Sequence, residues 1–128
     1  MKRMIFYLGF GTLLTHELDA MLNHEWRVIP LLRTLPETSG ITVFIVAHVP
    51  IFALLIALVA SRDLRIRRYS RLGIALFLVA HGALHVLFQS HREYEFSGLL
   101  SNLLIFGGAA LGLIYLTLEW TRRGGNVA

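Results

Sequence analysis

The chain has 128 residues, a formal net charge of +4 and a sequence pI of about 10.1, yet 55% of it is hydrophobic and only 16% is charged. A mean hydropathy of +0.63 is too high for an ordinary soluble domain and points to a membrane protein, in which basic residues between apolar runs are a positive-inside signal rather than a nucleic-acid surface. The absence of cysteine excludes disulfides, thiolate metal sites and a cysteine nucleophile.

Four spans are expected, at about 4–26, 41–60, 72–88 and 96–120, within one domain covering 1–128. The first begins after Met1-Lys2-Arg3. It has the outline of a signal peptide but no small-x-small cleavage site, so it is read as a retained helix. Its strictly apolar part, Met4 to Leu14, is shorter than the ~20 residues needed to cross a bilayer core, so the span has to include the polar run Thr15–Trp26. Read as one helix to Trp26, that run puts His16, Asp19 and Asn23 on one face, aligns Glu17 with His24, and points Glu25 away from His16. Pro30, Pro36 and Gly40 mark a loop.

The second span carries His48, and Pro50 favours a kink by freeing the carbonyl of Val46. A basic connector, Ser61 to Arg71, leads to the third span, which carries His81 and His85. The polar linker Gln89–Glu95 follows. The fourth span has Ser101 and Asn102 near its start and the small-residue surface Gly108 to Gly112, which lets another helix approach within the bundle or in a homo-oligomer. Trp26 and Trp120 are assigned to aromatic belts, and the Gly124-Gly125 tail is expected to be disordered.

Lys2, Arg3, Arg62, Arg65, Arg67, Arg68, Arg71, Arg122 and Arg123 fall on one side of this topology, and only Arg27, Arg33 and Arg92 on the other. The expected fold is therefore an all-α, antiparallel four-helix bundle in the cell inner membrane with both termini cytoplasmic. At 1.5 Å per residue, His16, His48, His85 and Asn102 each lie roughly 9–12 Å below the outer boundary, and His81 about one turn deeper than His85.

Ionisable groups at such depth are costly, which makes them candidates for function. His81 and His85, four apart on one helix face, have the spacing that brings two imidazoles to one metal. With His16 and His48 they form a candidate zinc or iron site, supported by Asn23, His24, Ser101 and Asn102, with Asp19 or Glu17 as general base. The partners expected are membrane lipids and a small amphiphilic substrate. Three alternatives stand beside this: a haem-binding electron carrier with axial histidines, a non-enzymatic subunit whose polar layer only holds the helices together, and a proton or ion path.

His16-Glu17-Leu18-Asp19-Ala20 through His24-Glu25-Trp26, then Pro30, His48-Val49-Pro50 and the His81/His85 pair, resembles a family of small bacterial four-span proteins of unknown function. That resemblance implies the membrane fold and carries no activity. A looser likeness leads to membrane hydroxylases and desaturases, whose adjacent His-His pairs this chain lacks. Membrane zinc hydrolases of the alkaline ceramidase type are also similar in pairing a His-x-x-x-His helix with a third histidine, as His81, His85 and His48 would here.

Overall fold

The computed structural model describes the backbone of residues 1–124 and side chains through Thr121. The Arg122 and Arg123 side chains and the tail beyond Gly124, for which disorder was expected, lie outside the described residues. The described chain is all-helical: α1 Lys2–Leu22, α2 Glu37–Val59, α3 Leu64–Phe88 and α4 Leu99–Gly124, with short 3-10 turns at Glu25–Arg27 and Leu32–Thr34 between α1 and α2.

Helix α1 buries a stripe of Phe6, Phe10, Leu13, His16, Asp19 and Ala20, at the three- and four-residue spacing of one helix face. It lies along α4. Lys2 pairs with Glu119 at one end, Gly108 approaches Thr12 in the middle, and Asn23 reaches Ser101 at the other end. Helix α3 packs beside α1 on α4, close enough that a Cβ at Gly112 would stand 2.7 Å from the carbonyl oxygen of Ala75. The Gly108–Gly112 surface is thus turned toward α1 and α3 of the same chain.

One apolar core, around Phe6, Leu13, Ile74, Leu78 and Tyr115, fills the end where the chain starts. A second, around Ala20, Trp26, Phe44, Phe96 and Ile105, fills the opposite end. Trp26 is only 2% exposed and packs on Phe44, so it is a core residue rather than part of a lipid-facing belt. Trp120, 80% exposed, does face outward.

Helices α2, α3 and α4 are each long and apolar enough to cross a membrane. Helix α1 falls short of that standard because His16, Glu17 and Asp19 occupy its second half. Helix α2 is apolar almost all round and buries only Gly40, Phe44 and Val59, leaving Val46, Val49 and Leu54 exposed. A helix of that kind is at home in hydrocarbon. It runs without a break through Pro50.

Helix α3 begins eight residues earlier than expected. The Asp63 side chain accepts hydrogen bonds from the backbone N–H groups of Arg65 (2.7 Å) and Ile66 (3.2 Å), an N-cap that turns most of the basic connector into helix. Replacing Asp63 by alanine is expected to cost about 1 kcal/mol. Thermal unfolding in detergent measures it, and Asp63→Asn should recover most of the loss.

A candidate metal centre

Helix α1 stops at Leu22, not at Trp26. The Asn23 N–H bonds back to the Asp19 carbonyl at 2.9 Å, and His24 adopts the left-handed conformation with φ 51° and ψ 42°. A histidine there is uncommon and carries some strain, so its surroundings must hold it. The His24 ring lies 2.8 Å from the carboxylate of Glu95 and edge-on to Trp26. Next to it, Arg27 donates to Glu37 at 2.8 Å and to Glu95 at 3.4 Å. Each exposed pair adds little alone. Together with buried Trp26 they pin the turn after α1 to α2 and to the α3–α4 loop.

This turn sends Glu25 back into the bundle, toward His16 rather than away from it. The Glu25 Oε2 is 4.0 Å from His16 Nε2, and its Oε1 is 3.8 Å from His85 Nε2. His85 Nε2 is 3.1 Å from His81 Nε2, and the His16 ring meets both the His81 and His85 rings edge-on. One ligand atom from each of His16, Glu25, His81 and His85 lies within 4.8 Å of all the others. Three elements supply them: α1, the turn after it, and α3.

Metal–nitrogen and metal–oxygen bonds near 2.0–2.2 Å place tetrahedral ligand atoms about 3.3–3.5 Å apart. The group would therefore close on an ion with side-chain shifts of roughly an ångström. The polar bookkeeping points the same way. His16 is 1% exposed, and both of its ring nitrogens are buried without a hydrogen-bond partner. Orphaned buried polar atoms of this kind are rare and call for a missing water or ion. The 3.1 Å approach of His81 and His85 nitrogens likewise requires a shared proton or a shared cation.

Outer contacts suit ligation. His85 Nδ1 is 3.2 Å from the Tyr94 hydroxyl, and Asp19 Oδ2, itself buried and unpartnered, is 4.0 Å from His16 Nδ1. A hydroxyl within hydrogen-bond reach, as Tyr94 is of His85, orients a ligating imidazole and leaves its other nitrogen free. A half-open cleft of about 330 Å³, almost wholly apolar, leads to Glu25, His81 and His85 past Leu84 and Phe88.

Not every expected residue joins the group. The His48 Nε2 lies 2.8 Å from the Glu17 carboxylate, and its Nδ1 donates to the Phe44 carbonyl at 2.6 Å. With Nδ1–H so committed, His48 and Glu17 hold one proton between them. This pair stands at a separate apolar cleft of about 550 Å³ between α2 and α3. The Asn102 amide turns onto the carbonyls of Ser97 and Gly98. Asn23 donates to the Asp19 carbonyl and the Ser101 hydroxyl, joining α1 to α4. His24 and Ser101 are therefore seen in helix- and loop-joining contacts.

Burial first, then the negative charges of Glu17 and Asp19, push the Glu25 carboxyl up to about 8 from 4.5. The folded, metal-free protein therefore binds a proton there that the unfolded chain releases near pH 4.5. Glu25's own contribution to stability falls as pH rises between those values. Above the range in which histidines titrate, thermal unfolding of metal-free protein in detergent should show this decline between about pH 7 and pH 8, and Glu25→Gln should flatten it.

Among the described residues the chain is all-helical, with three helices long and apolar enough to cross a membrane and a partly buried histidine–carboxylate cluster. The chain belongs to a family of unknown function, DUF6713, whose profile matches residues 2–122. This agrees with the resemblance carried by the Thr15–Trp26 run and the later histidines. No curated protein and no solved structure matches the chain.

Proposed function

We propose that the protein is a multi-pass protein of a bacterial inner membrane that binds one zinc or iron ion through His16, Glu25, His81 and His85 and acts on an amphiphile with an apolar tail. The observation that carries this reading is the convergence of three imidazoles and one carboxylate around the orphaned nitrogens of His16. An antiparallel four-span bundle is supported by the pairing of Lys2 with Glu119 and Asn23 with Ser101, at opposite ends of α1 and α4. The concentration of basic residues at the Lys2 and α2–α3 end supports cytoplasmic termini. Edge-on contact among the His16, His81 and His85 rings, at 4.6–5.1 Å between centroids, suits a single ion better than a macrocycle, which needs a slot between its axial ligands.

A bound ion would supply Lewis-acid polarisation of a carbonyl or of water. The chain's own residues do the rest. The apolar cleft past Leu84 and Phe88 receives the tail and excludes water. Tyr94 holds His85 in orientation, Asp19 stands 4.0 Å from the His16 ring, and Glu25 is placed either to ligate or to accept a proton. Glu17, already sharing a proton with His48, serves the α2–α3 cleft instead.

The test is to fill the cleft. Leu84→Trp should leave the metal content unchanged while abolishing metal-dependent turnover of acyl-ester or acyl-amide amphiphiles by the reconstituted protein. Turnover that persists unchanged in Leu84→Trp, or that is indifferent to chelator in the parent chain, would refute the assignment.

A further inference from the structure

At the other end of the bundle from the histidines, α1, α3 and α4 line a half-open polar cavity of about 440 Å³. Lys2, Arg3, Arg67, Arg68 and Arg71 line it, and Glu119 is the one carboxylate among its lining residues. Glu119 is 8% exposed and holds both Lys2 and the Nε of Arg68, the latter at 2.9 Å. One buried acid thus fixes two cations whose remaining donors are left for another acceptor. Arg71 is tied down by the Tyr7 hydroxyl at 2.9 Å and lies over the Phe6 and Tyr7 rings, while its Nε is buried without a partner. Arg67 is anchored through one nitrogen to the Ser61 carbonyl.

So many positioned guanidinium and ammonium groups around one hollow, with a single counter-charge, call for an anion with several acceptor oxygens. We infer that this cavity binds the phosphate of an anionic phospholipid headgroup. Resting on the membrane-spanning reading, its position among the starts of α1 and α3 and the far end of α4 places it at headgroup level, with exposed Met4 and Leu64 beside it for the acyl chains. The site would fasten the three helices to one lipid on the leaflet that faces Lys2 and Arg3, far from the metal centre and independent of it.

The purified full chain is titrated in detergent with phosphatidylglycerol or phosphatidylcholine, and lipid adducts are counted by native mass spectrometry. Phosphatidylglycerol should bind with clear preference. Each basic residue near an anionic headgroup is worth roughly fivefold, so Arg3→Gln with Arg67→Gln together should weaken it about 30-fold. An unchanged thermal-unfolding midpoint in that double variant reports that the bundle is intact. Equal binding of the two lipids, or full phosphatidylglycerol affinity in a double variant with a normal unfolding midpoint, would overturn the proposal. So would displacement of the lipid by millimolar inorganic phosphate, which would make free phosphate the occupant. If the double variant does not fold, Lys2→Gln, taken alone, replaces it, and the same lipid comparison decides. Because these readouts use lipid adducts, they stand or fall separately from the metal-dependent activity.

Discussion

His85→Ala is expected to weaken zinc or ferrous-iron binding by about 100-fold, and His48→Ala to leave it within roughly threefold of the parent chain. Structural zinc sites release about 10–16 kcal/mol through four ligands, or roughly 3 kcal/mol each, which sets the size of the first effect. The contrast follows from geometry. His85 Nε2 lies 3.1 Å from His81 and 3.8 Å from Glu25, whereas His48 spends both ring nitrogens on Glu17 and Phe44. Competition against a chromophoric chelator measures both variants. Equal losses in the two would mean that His48 belongs to the centre after all.

Stripping the metal is expected to lower stability by about 4 kcal/mol when the starting free metal is near 1,000 times its dissociation constant. The ion would join α1 to α3 and to the turn that carries Glu25, so its removal leaves both ring nitrogens of His16 buried without partners. Thermal unfolding with and without chelator reads this directly. His16→Ala, already unable to hold the ion well, should respond little to chelator. An unchanged midpoint in the parent chain would mean that no ion holds these elements together.

Much of this was legible in the residues because depth and helical spacing are one-dimensional quantities. Counting rises places His16 and His85 in one layer with His81 about one turn deeper, and the four-residue spacing of His81 and His85 puts them on one face. His48 shows what counting leaves out. It lies at a similar computed depth, but its direction around α2 sends it to Glu17, and direction between helices depends on packing that no single segment contains. Glu25 was missed for a different reason: its phase was taken from a helix continued to Trp26. The chain instead leaves the helix after Leu22 and turns at His24, so every angle beyond that point changes. Asn23-His24 ahead of Pro30 was the available signal, since asparagine and histidine are among the non-glycine residues most tolerant of left-handed backbone. The early start of α3 was also readable, in Asp63 ahead of a helix-forming run, but the density of arginines made the segment look like a loop.

The central claim is that His16, Glu25, His81 and His85 hold one ion. Elemental analysis of protein purified in detergent from metal-replete cells, with X-ray absorption at the edge of whichever metal is found, tests it most directly. The account predicts about one zinc or iron per chain, ligated by nitrogen and oxygen at roughly 2.0–2.2 Å with imidazole scattering and no sulfur. Protein that carries no stoichiometric metal, or a metal that remains in full after His81→Ala with His85→Ala, would contradict it.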